Sequence, residues 1–300
     1  MKQVIVVQGP TASGKTWLAI ELAKNFNTEI ISADSRQFYQ EMTIGTAKPN
    51  DLELKAVKHH FINCASVSEE ISAARFLQIA KPVLQKLLIE NGFAIVVGGS
   101  GMFVDALVDG LDEIPVDRVI RDELTKEFNA NGLASLLQEL QEKDSEYFQK
   151  VDRENPVRVI RALEAIRVSG KKMTDFQMNK NKSRDFKVTR LAIDWPRDEL
   201  YNRINLRVDE MVEQGLFQEV ESLFEYRLLN SLNTVGYKEI FEYFDGCMSK
   251  DQSIELIKQH TRNYAKRQLT WLRRYNDLHF LYPHSSKSIF EQARDIIEMN

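Results

Sequence analysis

The chain has 300 residues, 43% hydrophobic and 28% charged, with a formal net charge of −4. That composition excludes a disordered or fibrous protein, and the length allows one large or two ordinary domains with a sizeable core. The acidic balance excludes nucleic-acid binding driven by total charge but not by a local basic patch.

In chain order, Val4–Gln8 is a β-branched run that reads as a buried parallel strand. A helix is predicted over Thr16–Asn25 and a second strand over Glu29–Ser32. Ser72–Glu90 has helical periodicity, with Phe76, Ile79, Val83 and Leu87 on one face. A third strand, Phe93–Val97, runs into Gly98-Gly99. Strands alternating with helices argue for a parallel α/β sheet. After Pro115 only helices are predicted: Arg118–Asn131, Leu133–Lys143, Pro156–Ser169 and Lys172–Asn179. Strands return at Arg190–Asp194 and His279–Tyr282, with helices over Asp198–Phe217 and Ser253–Tyr275 between them. The 13 glycines and 7 prolines, against ~21 and ~15 in average usage, agree with a helix-rich chain. The expected organisation is an α/β core, 1–116 with 188–300, interrupted by an all-helical insertion at 117–187.

Cys64 and Cys247 are far apart and fit no metal-ligand spacing. No stretch approaches ~18 apolar residues free of charge. A reduced, cytoplasmic protein with no membrane partner is therefore expected.

Gly9-Pro10-Thr11-Ala12-Ser13-Gly14-Lys15-Thr16 fits the P-loop pattern between a predicted strand and a predicted helix. Its glycines let backbone N–H groups converge on phosphate oxygens, Lys15 adds a point charge, and Thr16 offers a hydroxyl to Mg²⁺. The motif specifies a diphosphate or polyphosphate and does not specify ATP. Asp34-Ser35 follows the second strand at the sheet edge where ligands bind. Asp34 there fits a general base or metal ligand, and equally a helix N-cap. The third strand ends in Gly98-Gly99-Ser100-Gly101 rather than an acidic metal ligand. That argues against a motor ATPase and suits close approach by a bulky substrate.

Arg203 and Arg207, four apart on a predicted helix, fit a diphosphate clamp or a plain surface pair. Arg158 and Arg161 are three apart and share a face. Lys258, Arg262 and Lys266 recur every four residues, with Arg267, Arg273 and Arg274 nearby. With Tyr264, Trp271 and Tyr275 interleaved, that stripe suits RNA, or else a solvated helix with an aromatic core face. His59 and His60 are adjacent, which is poor metal geometry and favours structural roles.

The sequence resembles the tRNA dimethylallyltransferases, or tRNA isopentenyltransferases. The matching segments are the P-loop, Ile31–Tyr39, Ile44–Pro49, Gly98–Phe103, Arg161–Glu164, Val235–Tyr237 and Lys266–Arg273, in order across nearly the whole chain. The resemblance implies a P-loop NTPase-like α/β fold. It implies transfer of a dimethylallyl group from dimethylallyl diphosphate to N6 of adenine 37 of tRNA, with Mg²⁺. An adenylate isopentenyltransferase acting on free nucleotides is the alternative; it would not need the helical insertion. By the same resemblance Asp34 is the base, and Lys15, Thr16 and Arg207 stabilise the leaving diphosphate. Gly9 through Thr16 hold that diphosphate, and Thr16 holds the metal. Asp34, Ser35, Arg36, Gln37, Ser100, Arg121, Arg158 and Arg161 contact the anticodon stem-loop. The implied protein is a monomer of bacterial type, since no zinc-finger cysteines are present. Ser100 stands where the family usually has Thr, Phe103 where it has Tyr, and Val157 where many relatives carry a polar residue.

Overall fold

A computed structural model describes residues 2–177 and 184–299. The chain divides into two compact units, Met1–Val108 with Arg184–Asn300, and Asp109–Ser183.

The first unit begins with β1 (Gln3–Gln8), α1 (Lys15–Asn25), β2 (Ile30–Ser32), α2 (Asp51–Ala56) and β3 (His59–His60). It continues through α3 (Ala73–Glu90), β4 (Phe93–Val97) and α4 (Gly101–Asp109). The second unit holds α5 (Arg118–Asn131), α6 (Ala134–Lys143), α7 (Ser145–Lys150), α8 (Pro156–Ser169) and α9 (Met173–Phe176). The chain returns to the first unit with β5 (Lys187–Ile193), α10 (Arg197–Glu213), α11 (Leu216–Ser222), α12 (Tyr237–Phe244), α13 (Lys250–Leu272), β6 (Leu278–Leu281) and α14 (Ile289–Met299).

The six strands form one sheet in the order β3-β2-β4-β1-β5-β6, every pair parallel. β1 is central, with Val4 level with Ala94 on one side and Val188 on the other. All six of its residues are buried, as a strand covered on both faces requires. One face packs Ile5, Val7, Ile95 and Leu191 against Leu18 and Leu22 of α1 and Ile297 of α14. Because the strands run parallel, the turns after β1, β2 and β4 emerge at one edge. Those turns carry the P-loop, Asp34 and the second glycine segment.

Several predicted boundaries move for local reasons. The helix expected over 198–217 is two, because Gly215 adopts φ +102 and starts α11. β5 begins at Lys187, three residues before the predicted strand, and Thr189 in that stretch is buried against Gln3. The two-residue β3 is too short to show any period. His60 pairs with Glu29 and the Nδ1 of His59 bonds the Val57 carbonyl, so both histidines are structural. The helix expected to reach Asn179 is α9 as far as it is described; Asn179 lies outside the described residues.

In the second unit Leu124, Leu136, Leu140, Leu163 and Ile166 form one apolar cluster. Asp117, Asp144 and Asn155 cap α5, α7 and α8 with their side chains. The carboxylate of Asp144 also takes the N–H and hydroxyl of Thr174, which fastens α9.

Candidate active site

The P-loop leaves β1 through three residues with positive φ: Gly9 (+143), Ala12 (+63) and Gly14 (+94). Two of these need glycine's freedom; Ala12 carries the strain of a left-handed alanine. The loop is tied from outside by its carbonyls. Trp195 Nε1 donates to the Ser13 carbonyl at 2.9 Å, and Arg203 Nε donates to the Ala12 carbonyl at 2.8 Å. The Arg203 guanidinium also lies 4.3 Å from the Trp195 ring centroid. With those carbonyls held outward, the N–H groups that open α1 are left for an anion, while Thr11 N–H is taken by Gln268 and Ser13 N–H by the Pro10 carbonyl.

Lys15 folds over the loop and donates to the Pro10 carbonyl at 2.7 Å. Its ammonium is pushed down to about 8, first by burial, then by the Arg207 charge, with Asp34 opposing. Arg207 Nη1 comes within 3.5 Å of Thr11 Oγ1, and burial, then Arg203, lowers its pKa. The arginine pair thus splits. Arg203 belongs to the scaffold of the loop, while Arg207, one turn along the same helix, faces the cavity.

That cavity, about 640 Å³, lies wholly within the first unit. Thr11, Lys15, Thr16 and Arg207 line one part of it, and Asp34, Ser35, Arg36, Gln37 and Ser100 another. Gly9, Pro10, Ala12, Ser13 and Gly14 form the loop behind without lining it. Val208, Met211, Leu216, Val235 and Ile257 add an apolar wall. Asp34 accepts from the N–H of Arg36 through Oδ1 at 3.1 Å, closing a turn. No helix follows it, so the N-cap alternative is gone.

The second glycine loop is made of glycine for a reason other than the one expected. A side chain at Gly98 would strike the Ala33 carbonyl, one at Gly99 the Gln268 amide, and one at Gly101 the Trp271 ring. The close approach is by β2's extension and α13, that is, by protein. Ser100 alone of this loop lines the cavity. Phe103 is buried, with its ring 5.5 Å from those of both Phe38 and Phe76. A tyrosine hydroxyl there would need a hydrogen-bond partner, and this phenylalanine needs none.

Among the described residues no three His, Cys, Asp or Glu side chains group to hold a metal. The Thr16 hydroxyl and Asp34 carboxylate nonetheless face one cavity. A few hard oxygens beside a phosphate-binding loop fit Mg²⁺, which keeps its waters and takes substrate phosphates.

The family model described as IPP transferase matches residues 37–275. A protein of Bacteroides thetaiotaomicron, "tRNA dimethylallyltransferase 1", is 43% identical over 98% of this chain and 96% of its own length. A "tRNA dimethylallyltransferase" of Cytophaga hutchinsonii is 43% identical over 94% and 93%. The chain belongs to the tRNA dimethylallyltransferase family.

Solved members share the fold. The full-length tRNA isopentenylpyrophosphate transferase of Bacillus halodurans superposes with a TM-score of 0.73 at 34% identity, covering 99% of this chain and 96% of that one. A eukaryotic dimethylallyltransferase, solved acting on tRNA, superposes with a TM-score of 0.80 at 27% identity, covering 94% and 74%.

Sequence reasoning missed several residues of this family member's site. Gln268 of α13 reaches both glycine loops: Oε1 accepts from Thr11 N and Nε2 donates to Gly99 O, each at 2.9 Å. Glu239 and His260 both line the cavity and bond each other through Nδ1. Glu219 takes the backbone N–H groups of Thr43, Ile44 and Gly45 and the hydroxyl of Tyr237. It thereby fixes the wall at Gly45–Ala47, whose Thr46 and Ala47 carbonyls accept from Gln37. Each pairing joins distant segments, so no local pattern announces it.

The Glu219→Gln variant leaves an NH₂ facing one of the donors it formerly accepted. It is expected to lose about 1–3 kcal/mol of stability, read as a lowered melting temperature. Wild-type melting would make the four bonds energetically idle.

The basic stripe on α13 divides. Lys258 pairs with Asp209 and Glu255, and Arg262 bonds Asn205, so that part is structural. Arg267 lies over Tyr264, and both line the cavity. Burial, then the Asp34 charge, pushes the Tyr264 phenol up to about 12.

In the second unit Arg121 and Arg161 converge on the fully buried Glu164. Arg161 also donates to the carbonyls of Ile114 and Pro115. Arg158 is exposed beside exposed Val157 and makes no side-chain bond among the described residues. Arg158 and Arg161 therefore do not act as one face.

Proposed function

We propose that the chain transfers the dimethylallyl group of dimethylallyl diphosphate to N6 of adenine 37 of tRNA, releasing diphosphate and N6-dimethylallyladenosine. The observation that carries this reading is a P-loop and a free carboxylate edge on one cavity, with no acidic ligand ending β4. The diphosphate lies at the end of the P-loop, on the N–H groups that open α1. Lys15 and Arg207 neutralise the charge that grows on its ester oxygen as the bond from that oxygen to C1 breaks. Thr16 would help hold Mg²⁺, which would supply further charge neutralisation when bound. The N6 lone pair forms the new bond to C1, the C1–O pair leaves with diphosphate, and Asp34 accepts the N6 proton.

The target adenine leaves the anticodon-loop stack to reach this cavity. Ser35, Arg36 and Ser100 line its place. Gln37 holds the neighbouring wall and keeps that place in shape. Arg121, Arg158 and Arg161 lie in the second unit, which we assign to the anticodon stem-loop. Arg158, exposed, is assigned to a backbone phosphate; Arg121 and Arg161 shape the unit through Glu164. The enzyme acts as a monomer in the cytoplasm.

The test of this reaction is stoichiometry. With Mg²⁺, dimethylallyl diphosphate and unmodified tRNA, one diphosphate is released per tRNA modified, with no orthophosphate. Orthophosphate release without tRNA modification would indicate a hydrolase. Arg158→Ala is expected to weaken tRNA binding and reduce the slope of log K against log salt by about one. An unchanged slope would make Arg158 a surface residue with no RNA role.

A further inference from the structure

Gln268 has a fixed orientation. Its acceptor end faces a donor, Thr11 N–H, and its donor end faces an acceptor, the Gly99 carbonyl. No flipped amide satisfies both. The residue is 7% exposed and lines the cavity. Gly99 has no room for a side chain because the Gln268 amide occupies that space. Thr11 lies in the diphosphate loop. Gly99 is one peptide unit from Ser100, which lines the cavity and which the proposed reaction sets beside the RNA.

The second loop is bound to α13 elsewhere too. Gly101 sits against Trp271, and Trp271 Nε1 donates to the Tyr275 hydroxyl, which donates to Asp105 of α4. That loop is thus anchored on α13. The P-loop carbonyls, by contrast, are held by Trp195 and by Arg203 of α10. α10 and α13 are themselves joined through Lys258–Asp209 and Arg262–Asn205, and at the cavity Gln268 hydrogen-bonds both glycine loops directly.

We infer that Gln268 is a positioning residue that couples the diphosphate loop to the Ser100 loop, so that a bound diphosphate raises the affinity for tRNA. A phosphate oxygen that shares the Thr11 N–H shifts the carboxamide. The shift reaches the Gly99 carbonyl and sets Ser100. This inference rests on the proposed reaction for the identity of the second ligand.

The experiment measures the dissociation constant of unmodified tRNA with and without saturating inorganic diphosphate and Mg²⁺, alongside melting temperature. Wild type is expected to bind tRNA at least about fivefold more tightly with diphosphate, the lower end of ordinary coupling. Gln268→Glu keeps an acceptor for Thr11 but sets an oxygen against the Gly99 carbonyl. Gln268→Met removes both bonds without adding charge. In whichever variant melts like wild type, the ratio is expected to fall to about one. A wild-type ratio of one, or a stable variant that keeps the wild-type ratio, overturns the inference. No turnover enters these ratios. A protein that couples the ligands yet modifies no tRNA would overturn the proposed reaction and leave the role of Gln268 standing.

Discussion

Asp34→Asn is expected to lower transfer by about 10²–10⁴-fold, the range of a positioned general base, while tRNA affinity stays within about threefold. The asparagine oxygen can still accept from the Arg36 N–H, so the turn at the end of β2 survives. What is lost is the place for the N6 proton. The amine of adenine is a poor nucleophile until that proton has somewhere to go, so the new C–N bond forms far more slowly. Asp34→Ala should lose as much activity and, in addition, loosen the turn. Single-turnover rates at saturating tRNA and donor measure the effect. Wild-type rates in the asparagine variant would remove Asp34 from the chemistry.

Lys15→Met is expected to lower the transfer rate by about 10²–10³-fold, comparable to removing one preorganised donor at a developing charge. Lys15 also gives the site a pH dependence with a definite sign. Burial and Arg207 bring its ammonium down to about 8. Below that value the side chain is charged and holds diphosphate. As the pH rises through it, the neutral amine loses the attraction. Diphosphate affinity should therefore weaken between pH 7 and pH 9.5, and that dependence should flatten in Lys15→Met. Calorimetric titration with inorganic diphosphate and Mg²⁺ reads both. An affinity constant across that window in the wild type would contradict the placement of Lys15.

The parts of the site legible in the sequence are those written contiguously. The P-loop is a local backbone device, and its strand and helix flank it directly. Asp34 is legible as the first carboxylate past a strand end. The family resemblance added roles that spacing left open, such as Asp34 as a base rather than a cap. What was not legible depends on residues distant in the chain. The glycines of the second loop admit Ala33, Gln268 and Trp271, and nothing near residue 99 reveals that. Arg203 and Arg207 look equivalent on a helix until Trp195 and the Ala12 carbonyl claim the first of them. The basic stripe of α13 looked uniform, yet Asp209 and Asn205 of α10 absorb Lys258 and Arg262. In the fold, long periodic helices and β-branched strands were readable. The two-residue β3 and the break at Gly215 were not, because each is decided by pairing or by one backbone angle.

The central claim is that one cavity joins a prenyl diphosphate to an adenine presented by tRNA. The most direct measurement mixes the wild-type protein with Mg²⁺, labelled dimethylallyl diphosphate, unmodified tRNA and free AMP together. The RNA is then digested and the labelled nucleoside identified. Label is expected on N6 of adenine 37 of the tRNA and none on AMP. Label on AMP, with the tRNA unmodified, would contradict it.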